Sequence, residues 1–222
     1  MRAAPRTRVL TGLTAATASA ALVLQYALML SSPGGVAAPA RATLRFFSFF
    51  TILSNLLVAA ATTQALVGAC TRVAAFFAAP SVRAAIALYI GITCAIYYFV
   101  LSARWSPRGA PLVAEATLHY VVPTLYLAWW LRTAERGRLD WLDPLRWLAF
   151  PLAFLLWTLA RGAWLHEYPY PFLDVDAIGL AAVLRNGAAI GVLMLAAGAV
   201  LVAFDRSRAA PPDTPLGLRE RR

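Results

Sequence analysis

Six apolar runs follow one another along the chain: Val9–Leu30, Phe46–Ala69, Val82–Ser102, Leu112–Leu131, Leu145–Trp164 and Ala177–Phe204. Each is long enough to cross a hydrocarbon layer of ~30 Å, which takes about 20 helical residues. In lipid the backbone must satisfy its own N–H and C=O groups, so only helices and closed barrels span. The alternating strands of a barrel are missing from the sequence. With 61% hydrophobic and 14% charged residues, the chain is too apolar for a soluble domain, where about 25% are charged. The expectation is an all-α integral membrane protein. Residues 1–204 form a bundle of six transmembrane helices, and 205–222 form a cytoplasmic tail too poor in apolar residues to pack, hence disordered.

The net charge is +10, and all 20 basic residues are arginine. Without lysine, Schiff-base chemistry is excluded. The arginines flank the apolar runs in ones and twos, which is a topology signal rather than a nucleic-acid patch. Fourteen lie in the N-terminus, the second and fourth loops and the tail, against five on the other side. The positive-inside rule then places both termini in the cytoplasm. Arg2, Arg6 and Arg8 followed by an apolar stretch, with Ala38-Pro39-Ala40 beyond, have the outline of a signal peptide. The stretch exceeds the usual 7–15 residues, so a retained first helix is expected. Cys70 and Cys94 differ in depth by more than a disulfide allows.

That orientation gives each polar residue a depth. Thr51 stands about five residues into the second run and His119 about seven into the fourth, so both lie roughly 8–10 Å from the outer boundary. Arg185 and Asn186 lie at a similar depth in the last run. Gln25, Tyr26, Tyr97, Tyr98, Arg161, His166 and Glu167 mark the outer ends of the others. Ionisable groups in a bilayer are costly and normally face a bundle interior or a wet cavity. Their convergence predicts a polar pocket open to the outer leaflet. Thr51 and Asn55 are four apart and share a helix face, as do Glu115 and His119. A hydroxyl, an imidazole and an orienting carboxylate are the parts of nucleophilic catalysis. Asn55 is the nearest side chain to steady an oxyanion. Arg161 or Arg185 would hold a substrate carboxylate, with Asn186 and Tyr168 completing the substrate-binding set.

Each residue also has a purely structural reading. A membrane threonine commonly bonds back to its i−4 carbonyl, here that of Phe47. His119 and Asn55 suit interhelical hydrogen bonds. Arg161 suits a snorkelling anchor. Arg185 calls for a partner such as Asp174, Asp176 or Glu115. In Tyr168-Pro169-Tyr170-Pro171-Phe172 the prolines enforce extended geometry, giving either a rigid loop packed on the helix ends or a lid.

The strings FFSFFTILSNLL around Thr51, LHYVVPTLYLAWWL around His119 and RGAWLHEYPYPFLDV before the last run resemble one family. It is the androgen-induced protein and androgen-dependent TFPI-regulating protein family, in its bacterial six-helix branch. The likeness runs from about Leu10 to Arg206. It implies six helices, cytoplasmic termini and residence in a bacterial inner membrane. It also implies a threonine hydrolase acting on fatty acid esters of hydroxy fatty acids or related lipids, with no cofactor. Thr51 then maps to the nucleophile and His119 to the base. Two other function classes stand beside it. One is a haem or metal protein using His119 and His166, the only histidines, for which no ligand-spacing motif is present. The other is a carrier or interaction protein, without the repeats or broken helices of a transporter.

Overall fold

The computed structural model describes residues 5–209 apart from 69 and 105, and the described residues form helices and connecting turns without a strand. α1 (Pro5–Ser31) leads into two short helices, α2 (Pro33–Ala37) and α3 (Pro39–Phe46). Then come α4 (Phe50–Val67), α5 (Arg72–Ala78) and α6 (Pro80–Ile96). A π turn, Tyr97–Leu101, and a 3-10 turn, Ser102–Arg104, extend α6. α7 (Ala110–Ala116), a π turn (Thr117–Val121) and α8 (Val122–Thr133) form one uninterrupted helical run. α9 (Asp143–Trp147), α10 (Ala149–Leu165), α11 (Val175–Ile178) and α12 (Leu180–Ser207) complete the fold. Pro33, Pro39 and Pro80 sit in the first turns of α2, α3 and α6, where a missing N–H costs nothing.

Five helical stretches are long and apolar enough to cross a membrane: Arg6–Ser31, Phe50–Val67, Pro80–Arg104, Asp143–Leu165 and Leu180–Ser207. The α7–α8 run is not among the five. Glu115, Thr117, His119, Tyr120, Pro123, Thr124 and Tyr126 dilute its apolar character.

Several boundaries differ from the sequence reading: the fifth run is split at Leu148 between α9 and α10, and the last begins in α11 and resumes at Leu180 beyond Gly179. The second apolar run is not one helix, because α3 ends at Phe46 and α4 starts afresh at Phe50. The last helix continues to Ser207 and buries Asp205, so the first residues of the expected tail belong to the bundle. The rest of that tail, 210–222, lies outside the described residues.

α1 packs along α4 and α8, and α6 packs against α4, α8 and α12. Their shared core includes Val58, Ile86, Ile90, Tyr126, Trp129 and Met194, all nearly inaccessible. α10 docks on α9, while its backbone stands apart from α12. That separation is where the site lies.

Candidate functional site

Thr51 owes its freedom to the break before it. Phe47, Ser48 and Phe49 interrupt the helix ahead of it, and Phe49 is extended (φ −100°, ψ 130°), capping α4 without a side-chain hydrogen bond. Ser48 holds the turn, donating to the Leu44 carbonyl at 2.7 Å and accepting from Trp157 Nε1 at 3.1 Å. Thr51 is therefore the second residue of a helix. Its own N–H has no intrahelical acceptor, and no helical carbonyl stands four residues behind its hydroxyl. By contrast, the hydroxyls of Thr11, Thr14, Thr62, Thr93, Thr117, Thr124 and Thr133 each donate to the carbonyl four residues back.

Instead Thr51 bonds across the bundle. Its Oγ1 lies 3.2 Å from His119 Nε2 and 3.3 Å from the Tyr170 hydroxyl. Thr51 N–H donates to that same tyrosine oxygen at 3.2 Å. Tyr170 thus caps α4 from a distant segment, doing what a Ser or Asp N-cap does locally. Both Thr51 and His119 are 7% exposed.

His119 sits in the π turn, and Pro123 explains why the helix widens there. Proline has no N–H to give the carbonyl four residues back, which is that of His119, and its ring crowds that carbonyl. His119 Nδ1 faces the Glu115 carboxylate at 3.1 Å and the Glu115 carbonyl at 3.0 Å. Both are acceptors, so Nδ1 carries the ring proton and Nε2 is left to accept from Thr51. Tyr97, at the start of the other π turn, stacks on the imidazole with centroids 3.8 Å apart and planes 18° apart. The hydrogen bonds therefore run in one direction: Tyr170 O–H to Thr51, Thr51 O–H to His119, and His119 N–H to Glu115. Tyr170 is outside the helices, and burial pushes its hydroxyl above the ordinary phenol range; the hydrogen bonds from Thr51 and the α4 backbone only partly offset this. It keeps its proton at neutral pH and remains a donor.

A cavity of about 450 Å³ opens against this group. Thr51, His119 and Tyr170 supply the polar lining at one end, and Ile92, Pro151, Leu152 and Leu195 line the apolar remainder. Gly187 and Gly191, four apart on α12, also line it. At Gly191 an added Cβ would meet nothing within 4 Å, so the missing side chain leaves real space. From Gly187 to Leu195 the cavity follows α12 for about 12 Å.

The sequence-named residues divide. Thr51, His119 and Glu115 come together as their spacing suggested. Asn55 does not join them: it is fully buried and donates to the Thr51 carbonyl at 2.8 Å and the Leu118 carbonyl at 3.2 Å. Both amide hydrogens are spent clamping α4 to the π turn, so it has none for an oxyanion. Arg161 is neither a snorkelling anchor nor a cavity residue. It is 3% exposed, donates to the Glu167 carbonyl at 2.8 Å and pairs with the Glu167 carboxylate at 3.5 Å, which Arg41 also engages. Tyr168 lies against Gly162, where any side chain would collide with its ring, and it does not line the cavity. Arg185 and Asn186 line a neighbouring recess. Asn186 donates to the Phe172 carbonyl at 2.9 Å. The carboxylates expected to pair with Arg185 are engaged elsewhere: Asp174 caps α11, Asp176 bonds His166 and Glu115 bonds His119.

Tyr170 is the residue that sequence reasoning missed. The signal was the proline-enforced extended segment, which fixes direction but not which tyrosine reaches inward. Its ring stacks on Phe172 at 5.2 Å, so the segment is a packed loop that brings Tyr170 and Phe172 to the cavity wall. The two histidines have separate carboxylate partners, and both cysteines are free. Set beside known proteins, the chain matches no family model, no curated protein and no solved structure.

Proposed function

We propose that the protein is an intramembrane lipid-ester hydrolase with Thr51 as nucleophile and His119 as general base. The observation that carries this is the 3.2 Å approach of Thr51 Oγ1 to a histidine nitrogen free to accept, at the head of an apolar cavity. Thr51 Oγ1 attacks the ester carbonyl while its proton passes to His119 Nε2. Glu115 steadies the imidazolium through Nδ1. The carbonyl oxygen, now negative, takes the Tyr170 O–H and the Thr51 N–H, which exchange their present partners, Thr51 Oγ1 and the Tyr170 oxygen, for it. On collapse, His119 returns the proton to the leaving alkoxide. A water activated by His119 then hydrolyses the acyl-threonine. The acyl chain occupies the cavity between α6, α10 and α12. The reaction calls for no cofactor, and membrane lipids supply both surroundings and substrate.

The same reading takes the α7–α8 run as a sixth span, its polar residues turned inward. With the 14-to-5 arginine distribution, it puts the termini in the cytoplasm and the Thr51 end toward the outer leaflet of a bacterial inner membrane. It also agrees with membership of the androgen-induced protein family. The test is labelling by a fluorophosphonate, with the modified residue identified by mass spectrometry. Thr51 is expected to carry the label, and Thr51→Ala to lose both label and ester hydrolysis while remaining membrane-inserted. Near wild-type hydrolysis by Thr51→Ala would end the threonine mechanism.

A further inference from the structure

Beside the Thr51 cavity lies a second recess of about 360 Å³, and the two share Leu101 and Phe172 in their walls. Arg104, on the 3-10 turn after α6, and Arg185, in the second turn of α12, both line it. Among the described residues neither guanidinium has a carboxylate or carbonyl partner. Elsewhere Arg41, Arg138, Arg146 and Arg161 pair with Glu167, Glu135, Asp143 and Glu167. The acidic groups of the adjoining loop are engaged, Asp174 with the α11 backbone and Asp176 with His166. Snorkelling accounts for a single arginine reaching a headgroup. It does not account for two arginines from different elements lining one recess, where like charges repel.

We propose that Arg104 and Arg185 form an anion site at the mouth of the Thr51 cavity, taking the carboxylate or phosphate of a single-chain amphiphile. An anion between them removes the repulsion, and the planar guanidinium forks match both oxyanion geometries. Leu101 and Phe172 stand in both walls, at the boundary between the charged recess and the apolar cavity. A molecule spanning both has a charged end and a hydrocarbon end. The inference rests on the hydrolase reading only in naming the substrate class, an anionic ester.

The experiment is a binding titration, read by tryptophan fluorescence, on the full chain in uncharged maltoside micelles. The background is Thr51→Ala, so turnover does not enter. The probes are dodecanoate, dodecyl phosphate and dodecanol. At least one anion is expected to bind about tenfold more tightly than dodecanol, and Arg104→Gln or Arg185→Gln to remove most of that preference. Dodecanol binding should not change in either variant. Arg185→Lys keeps the charge and is expected to retain most of the preference, so a folding loss in Arg185→Gln does not end the test. A stronger response to dodecyl phosphate assigns the site to phosphate, and a stronger response to dodecanoate assigns it to carboxylate. Equal affinity for all three probes overturns the proposal, as does an anion preference that survives in the double variant. Hydrolysis surviving Thr51→Ala would remove the hydrolase reading and leave this titration intact.

Discussion

At the end of the bundle away from Thr51, the Tyr89 hydroxyl finishes on the Trp147 carbonyl at 2.6 Å and Tyr126 on the Arg83 carbonyl at 3.2 Å. Trp129 Nε1 donates to Thr11, Trp147 Nε1 to Ser81, and Asp205 accepts from the Leu139 N–H. These groups are satisfied by backbone or by small fixed side chains, and they tie helices together. At the Thr51 end a hydroxyl of the same kind bonds an imidazole and a phenol, and all three border a cavity. Polar groups that lock a structure end on atoms with nothing further to do. Those that can do chemistry end on atoms able to take or give a proton.

Substitutions should therefore separate the two ends by what they change. The largest effect is expected from His119→Ala, a loss of ~10²–10⁴-fold in ester hydrolysis, the usual range for a missing general base. Combined with Thr51→Ala it should add little, since residues acting as a unit are not additive. Additive losses in steady-state kinetics would break the pairing. Tyr170→Phe removes the donor proposed for the oxyanion and is expected to cost about 10²-fold in kcat, with KM little changed. Because burial raises the Tyr170 pKa, its proton is held above the ordinary value. The ratio of wild-type to Tyr170→Phe rates should stay level through about pH 10, where a free phenol half-ionises. A ratio that decays below that point would remove Tyr170 as donor.

Smaller effects sharpen the contrast. Gly191→Phe fills open space in the cavity and should slow long-chain esters by about tenfold relative to short-chain ones. Equal slowing across chain lengths would take the acyl chain out of the α10–α12 gap. Glu115→Gln should cost less than His119→Ala, because it leaves the Glu115 carbonyl as a second acceptor for Nδ1. At the opposite end Asp205→Ala strands the buried Leu139 N–H, with an expected stability loss of about 1–3 kcal/mol. The rate per folded molecule should stay unchanged. A thermal melt and a turnover assay on the same sample check both parts.

The apolar runs made the long helices legible, because about 20 residues of hydrocarbon-compatible side chain permit little else. Thr51, His119 and Glu115 were legible because i,i+4 spacing and shared depth survive folding. Spacing could not give the rotation of a face about its helix axis, and so Asn55 turned from candidate donor into interhelical clamp. Nor could it show the break at Phe47–Phe49: Phe46 to Phe50 is apolar apart from Ser48, and hydrophobicity carries no mark of a helix end inside such a run. Arg161 and Tyr168 were assigned by proximity in sequence to a loop whose path depends on Glu167 and Gly162. Both are tertiary contacts that no local pattern encodes.

The π turn at Thr117–Val121 gives the α7–α8 run two independent azimuths. One extra residue in the turn lets His119 reach the cavity, with Glu115 behind its ring, while Tyr126 and Trp129, two turns on, still fill the core. If the same residues wound as ordinary α-helix, without the wide turn, everything beyond it would swing by about 100°. Tyr126 and Trp129 would leave the core, or His119 would leave Thr51. The site and the core beneath it are geared through that one surplus residue.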